Sequence, residues 1–343
     1  MTSLINFSWT MERGMAERYT VYVPRETAAV SLGAHEVAER IAGLGNVDVV
    51  RNGSWGASWL EPLVEVVVGE QRIAYGPVTL DDVDTLVDAN FLEGGAHPLR
   101  LGPIDEIPYL ANQERWTFFR CGLGDPLSIT DYTARKGFAG LQKAFEIGPQ
   151  SVIDQVKESG LRGRGGAGFP TGIKWQTVAD ADGEQKFIAC NADEGDSGTF
   201  SDRILMEGDP LQLIEGMTIA GYATGANKGY IYLRSEYPLT HTVLSRAIDT
   251  ARDAGWLGEN IQGSGFDFDI ELHLGAGSYV CGEETAMLES LEGKKGIVRY
   301  KPPLPAIEGL FGKPTVVNNV VTLASVPNIV NLGGERYAGM GVN

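Results

Sequence analysis

Between Ser159 and Lys174 the chain reads SGLRGRGGAGFPTGIK, with glycine at 160, 163, 165, 166, 168 and 172 and charges at Arg162, Arg164 and Lys174. So dense a glycine run has almost no side chains with which to build a core. Without cations it would read as a flexible linker. Interleaved with arginine and lysine and framed by helical patterns, it reads as backbone wrapped around a phosphate. Glycine supplies positive φ and lets N–H groups approach an anion closely, while guanidinium and ammonium add charge-assisted hydrogen bonds.

The stretch contains G-x-G-x-x-G at Gly163, Gly165 and Gly168, which alone is a weak signal. A dinucleotide fingerprint of that spacing needs a strand before it and a helix after it. Here the preceding SVIDQVKES (151–159) has helical period, with Ser151 as expected N-cap and Val152, Ile153 and Val156 on its apolar face. Gly160 stands where a C′ glycine belongs. No Gly-Lys-Ser/Thr follows at the spacing of a nucleoside-triphosphate loop. Neither standard dinucleotide loop is present.

The 343 residues suffice for two or three domains, and 43% apolar side chains supply an ordinary soluble core. A formal net charge of −17 argues against nucleic acid or an anionic membrane as partner, because phosphates demand lysine and arginine. The cations at 162–174 are a local exception. Cys121, Cys190 and Cys281 are far apart and lack C-x-x-C spacing. They predict no metal in this chain, no iron–sulfur ligand set and no disulfide framework, hence a reducing, cytoplasmic setting. The N-terminus shows no basic segment followed by an apolar core, and no apolar run reaches membrane-spanning length.

Residues 1–18 show no period and read as an arm. From 19 to 93 the expected order is β-α-β-β-β-α. Its strands are TVYVP (20–24), VDVVR (47–51), and 63–68 with 72–75 as a hairpin turned at Gly69-Glu70. Its helices cover 28–42 and LDDVDTLVDANF (80–91), the second capped by Thr79. Residues 94–128 carry Pro98, Pro103, Pro108 and Pro126 and read as an irregular connector. A helix over 129–145 precedes the helix and glycine loop already described. Strand KFIAC (186–190), helix 209–224, strand GYIYLR (229–234), helix 239–254 and strand FDFDIELHL (266–274) then follow. Such alternation marks a layered α/β domain.

Several turns in this second region carry polar chemistry. NADEGDSG (191–198) follows a strand end, where α/β sheets place ligand loops. Its Asn and Asp either accept from ribose or ribitol hydroxyls or form a solvated turn. GAGSYVCGEETA (275–286) sets Glu283 and Glu284 at a helix N-terminus, where the dipole favours them and sugar hydroxyls would find acceptors. Cys281 reads as a packed thiol and His273 as a structural strand residue. RYKPPLPA (299–306) carries Lys301 on a rigid loop. Asn318-Asn319 precede a helix, to position an aromatic ligand or to cap the helix.

SGLRGRGGAGFPTGIKW (159–175), CNADEG (190–195), YIYLR (230–234), GAGSYVCGEETA (275–286) and KPTVVNNV (313–320) occur in this order. Together they resemble the flavin-bearing, NADH-oxidising (51 kDa-type) subunit of respiratory complex I. The same module occurs in NAD-reducing hydrogenases and in NAD-dependent molybdenum or tungsten formate dehydrogenases. The order of 19–93, with YGPVT (75–79), resembles the thioredoxin-like ferredoxin domain of those complexes. That domain binds a [2Fe–2S] cluster through four cysteines, and this segment has none, so a docking domain without a cluster is expected.

The resemblance implies an N-terminal thioredoxin-like α+β domain (19–93), a connector (94–128) and a layered α/β FMN- and NAD(H)-binding domain (129–326). It implies that 327–343 begins a C-terminal region whose ubiquitin-like part and [4Fe–4S]-bearing bundle are missing here. FMN would be held by Gly163, Arg164, Gly165, Gly166, Ala167, Gly168 and Lys174. Asn191, Asp193, Glu194, Tyr279, Gly282, Glu283, Val317, Asn318 and Asn319 would complete its pocket. NAD(H) would meet Phe169, Asp196, Glu283, Glu284 and Lys301. No residue would be catalytic in the acid–base sense, because hydride transfer between stacked rings is catalysis by orientation.

The implied activity is that of a diaphorase subunit, most like that of soluble NAD-dependent formate dehydrogenases. Hydrogenase diaphorase and complex I subunits are the alternatives, and a non-catalytic scaffold is the alternative of another class. The implied partners are a [2Fe–2S] thioredoxin-like small subunit and a molybdenum- or tungsten-containing formate-oxidising subunit with iron–sulfur clusters. One departure stands out: Asp196-Ser197 occupies the place where complex I members carry Glu-Pro.

Overall fold

The computed structural model describes residues 18–340; most of the N-terminal arm expected over 1–18 lies outside them. Two sheets organise the chain. The first is built from β1 (Tyr19–Tyr22), β2 (Val47–Val50), β3 (Val64–Val68), β4 (Gln71–Tyr75) and β5 (Arg100–Pro103) in the order β2-β1-β3-β4-β5. β1 and β2 run parallel, as a helical crossover requires, while β3 and β4 form an antiparallel hairpin turned at Gly69, φ 61°. Parallel β-α-β followed by a hairpin and a helix is the thioredoxin-like α+β order.

The crossover is two helices rather than the single one expected over 28–42. α1 (Thr27–Ser31) and α2 (Ala34–Ala42) are separated at Gly33, whose φ of 98° no continuous helix contains. After the hairpin comes α3 (Asp82–Asp88). Thr79 meets its start through its carbonyl, which accepts from Asp82 N at 3.1 Å, while its hydroxyl does not accept from the helix; its N–H and hydroxyl both donate to Asp82 Oδ2. Residues 94–128 are not wholly irregular either. β5 pairs with β4, and α4 (Pro108–Ala111) follows. Proline at 103 is tolerated because β5 is an edge strand.

The helix expected over 129–145 is again two, α5 (Ile129–Ala134) and α6 (Ala139–Ile147). Lys136 and Phe138 between them have φ of 62° and 60°. α7 (Pro149–Glu158) begins two residues before the expected Ser151 cap, with Pro149 at its first position. α8 (Thr171–Asp180) follows the glycine loop.

Then comes the second sheet, β6 (Phe187–Ala192), β7 (Lys228–Leu233), β8 (Asp269–Leu274) and β9 (Thr315–Asn319), all parallel in the order β8-β7-β6-β9. The intervening helices are α9 (Ser201–Gly208), α10 (Pro210–Thr224), α11 (Pro238–Asp253) and α12 (Glu284–Leu291). α13 (Val320–Leu332) and α14 (Gly334–Ala338) complete the chain. α9 and β9 carry no clear period of their own in the sequence.

Period two sorts the strand side chains. Ile188, Cys190, Ile231, Leu233 and Val316 enter a large core with α10 and α13. Phe187, Ala189, Tyr232 and Val317 face a smaller core with Met287 and Leu288 of α12. Both faces are covered, as parallel sheets require.

The two sheets are joined by buried polar contacts. Glu207 at the end of α9 accepts from Thr27 N and Thr27 Oγ1, both at 2.7 Å, at the start of α1. Arg120 pairs with Asp209 at 2.8 Å, both buried. Asn52 Nδ2 donates to Gly122 O at 2.9 Å. Gly53 lies so close to Gly208 that a Cβ there would stand 2.6 Å from Gly208 Cα.

Candidate functional site

In a parallel sheet, ligands bind beyond the carboxyl ends of the strands where the strand order reverses. Here the chain leaves β6 for β7 and β8 on one side and returns to β9 on the other. The reversal lies between β6 and β9, and their ends are in register, Asn191 beside Asn319. A cleft of about 610 Å³ opens there, within the range of small-molecule sites.

The glycine loop forms one wall. α7 stops at Ser159, and Gly160 takes φ 65°. The loop closes on itself through Gly163 N to Phe169 O at 2.9 Å and a bridge between Arg162 and Pro170. It is pinned to α13 by Arg164 N donating to Thr322 Oγ1 at 2.8 Å. A Cβ on Gly165 would stand 3.0 Å from Asn319 Cβ. Gly166 has φ 108° and open space around it, so bare backbone meets whatever enters. Ala167 is exposed beside it, and Phe169 is exposed where the loop returns. Exposed, cationic backbone at a switch point fits a phosphate-bearing cofactor of flavin size.

The opposite wall comes from the turn after β6. Asn191 Nδ2 donates to Gly282 O at 2.8 Å, and its Oδ1 accepts from Asp193 N. Asp193 accepts no hydrogen bond from any described residue; burial pushes its carboxyl up to about 6, against the pull of Arg234. Tyr279 is exposed and donates to Asp196 Oδ1 at 2.7 Å. Its ring lies over Gly195, where a Cβ would stand 2.8 Å from it. Glu194 is buried and caps α9, accepting from Asp202 N at 2.9 Å, Arg203 N at 3.2 Å and Tyr237 OH at 3.1 Å.

A lysine–glutamate cluster stands at the rim. Glu283 caps α12 through Oε2, which accepts from Thr285 N at 2.8 Å and Ala286 N at 3.0 Å. Its Oε1 accepts from Lys301 Nζ at 2.8 Å, as does Glu284 Oε1. Lys174 Nζ donates to Val317 O at 2.7 Å and reaches Glu284 Oε2 at 3.4 Å. Burial works against charge at Glu283, but Lys301, Thr285 and the helix N–H groups outweigh it and hold its carboxyl below the usual range.

The paired asparagines end β9 rather than form a separate turn. Asn318 is buried and accepts from Trp175 Nε1 at 2.9 Å, while Asn319 caps α13 by accepting from Val321 N at 2.9 Å. Sequence reasoning missed Asp202 and Thr322, which bond Asn319, and Tyr237, which bonds Glu194. The three thiols are free and buried, and burial pushes Cys121 up to about 12. A second cleft of about 940 Å³ lies across Arg164, lined by aromatic groups such as Trp59, Trp116 and Phe200 and by no glycine of the 163–168 loop.

A doubly covered parallel sheet with an exposed glycine loop at its switch point is the architecture of a nucleotide-binding layer. Residues 156–328 match the Nuo51 FMN-binding domain family, and the chain belongs to that family. It is 56% identical over 221 residues to the NADP-reducing hydrogenase subunit HndC of Solidesulfovibrio fructosivorans, covering 64% of this chain and 45% of that protein. It is 55% identical over 214 residues to a subunit of the NADH-quinone oxidoreductase of Aquifex aeolicus, covering 62% of this chain and 50% of the relative. A chain of an NAD⁺-reducing [NiFe]-hydrogenase crystal structure matches with TM-score 0.52 and 30% identity over 92% of this chain and 53% of its own. This chain thus spans about half the length of the curated relatives it matches.

Proposed function

We propose that this chain is the FMN-bearing diaphorase subunit of a multisubunit oxidoreductase that exchanges hydride with NAD(H). The observation that carries this reading is the glycine loop held at the β6–β9 switch point by Arg164 N and Thr322 Oγ1. Bound FMN would supply the conversion between a two-electron hydride and single electrons for iron–sulfur carriers. The protein's task is orientation. The loop backbone from Gly163 to Gly168 and Arg164 hold the phosphate, while Lys174 props the β9 end through Val317 O. Asn191, Asp193 and Asn319 bound the ring pocket. Phe169, Asp196, Glu284 and Lys301 address the dinucleotide at the open side.

For the electron partner we propose a molybdenum- or tungsten-containing formate-oxidising subunit, reached through a [2Fe–2S] thioredoxin-like subunit in the cytoplasm. The free, buried thiols suit such a reducing setting. A hydrogenase is the second reading, favoured by the match over 92% of this chain to the NAD⁺-reducing [NiFe]-hydrogenase. Purified chain should carry flavin absorbance and reduce ferricyanide with NADH; a colourless, inactive chain after incubation with FMN overturns the proposal. Reduction of NAD⁺ by formate, but not by hydrogen, in the co-purified complex separates the first partner from the second.

A further inference from the structure

Asp202 lines the cleft, and the reading above gives it no task. Its carboxylate Oδ2 accepts from Asn319 Nδ2 at 2.6 Å. Asn319 Oδ1 is already committed to the first turn of α13, so Asp202 takes the remaining hydrogen-bonding end of that amide. The same first turn carries Thr322, which holds Arg164 N, and Asn319 Cβ backs Gly165. Asp202 is itself set by its own N–H on Glu194 at 2.9 Å. The contacts therefore run unbroken from Glu194 through Asp202 and Asn319 to the glycine loop.

We propose that Asp202 is a positioning residue that holds the Asn319 amide behind the glycine loop and takes up a proton when flavin enters the cleft. The inference rests on the assignment of this cleft to FMN.

The electrostatics of the site support the second half. Asp202 is 4% exposed, and no described cation lies within ion-pair distance of it. Facing it are Glu194 from the turn after β6, the Cys190 thiol from β6, and the Asn319 amide with Val321 N–H from the β9–α13 corner. Arg203 is next on its own helix, and Arg164 and Asp193 stand in the same cleft region. Burial first, and the Glu194 charge second, push the Asp202 carboxyl up to about 7 despite the Asn319 and Val321 hydrogen bonds. A ligand that displaces water and brings a phosphate dianion raises it further. A group that binds more protons in the complex than in the free protein makes affinity fall as pH rises past its free-state value. The proton comes from solvent, and no covalent bond changes.

The probe is FMN itself, titrated into the flavin-stripped 343-residue chain. Calorimetry in two buffers of different ionisation enthalpy at about pH 7.5 should show wild type taking up part of one proton per FMN, and affinity should fall by up to about tenfold per pH unit just above pH 7. Asp202→Asn keeps an acceptor for Asn319 and should bind FMN with that dependence removed, leaving only the phosphate's own titration near about pH 6. Asp202→Ala, with no acceptor, should bind more weakly at every pH, with Asn but not Ala restoring affinity. Equal proton uptake in wild type and Asp202→Asn overturns the inference, as does zero uptake by wild type, a result that needs no variant to fold. Failure of wild type to bind FMN at any pH is a different result and overturns the assignment of the cleft itself.

Discussion

The two sheets differ in where they leave carboxylates with acceptors to spare. In the thioredoxin-like layer Glu26, Glu61 and Glu65 are all buried, and their oxygens are used up internally. Glu26 caps α1, Glu61 accepts from Ser54 Oγ and Leu63 N, and Glu65 accepts from Trp55 Nε1 at 2.7 Å with Arg72 alongside. In the parallel layer Glu207, Asp209 and Glu215 are buried and saturated in the same way, but further acids gather beyond the ends of the strands. Some are used as caps, but Asp193 is left without a hydrogen bond, and Glu284 meets only two lysines. Carboxylates whose oxygens are saturated hold a fold together. Those with unspent acceptor capacity beside bare backbone are available to a ligand. Among the described residues, the difference leaves such acceptors free for a ligand in the parallel layer alone, without reference to any cysteine.

The largest effect should come at the seam. Arg120→Ala leaves Asp209 buried and unpaired, and breaking such a pair costs about 3–5 kcal/mol. Chemical denaturation should show the loss as a lower midpoint; a midpoint within error of wild type would mean the connector is not anchored to the parallel layer there.

Next is the cleft. Gly166→Val puts a β-branched side chain at φ 108°, a strain of about 1–3 kcal/mol in a loop that should face FMN. Flavin content should collapse, while the unfolding midpoint falls by no more than that strain accounts for. Full flavin occupancy in this variant would remove the loop from the binding layer.

Proton linkage distinguishes the layers more finely. Glu61 is raised to about 7 by burial above all, and its folded value lies above its ordinary one of 4.5. Its stabilising contribution is therefore complete below about pH 4.5 and lost as pH rises through about 7, with a slope of up to about 1.4 kcal/mol per pH unit. Glu61→Gln should flatten the fall in Tm between about pH 5 and 7 and leave flavin affinity and its pH profile unchanged. A changed flavin profile would erase the distinction drawn here.

The smallest effect belongs to the rim. Glu284→Gln loses charge toward Lys174 and Lys301, a part-exposed site where about 1 kcal/mol is the scale. The KM for NADH should rise several-fold in the ferricyanide assay with FMN content constant. An unchanged KM would take Glu284 out of the dinucleotide site.

Much of this was legible from residues alone. Glycine density with interspersed arginine marks the loop, because no other residue set combines positive φ with exposed backbone. Period-two apolar runs marked β6 and β7, and helical periods marked α10 and α11 within a residue or two. Breaks at Gly33 and Phe138 were not legible, because a kink that keeps the apolar face intact leaves the period unchanged. β5 and β9 were missed for another reason: each is a short run beside glycine or proline that becomes a strand only when β4 or β6 offers it a ladder.

The sequence by itself determined the two layers, the glycine-dense, arginine-bearing loop of 159–174, the acidic turn at 191–196, and a segment 19–93 without a cluster's cysteines. Those are properties of composition and local period, which need no partner to exist. Only the tertiary structure decided where the site lies and what braces it. The strand order that creates the switch point depends on β9 returning to β6. Arg164 meets Thr322 across 158 residues and Asp202 meets Asn319 across 117, separations at which no local pattern reports a contact. Asp202 reads as one more solvated acid in a polar loop until β9 and α13 close over it, and that closure removes the water that would have kept it ordinary.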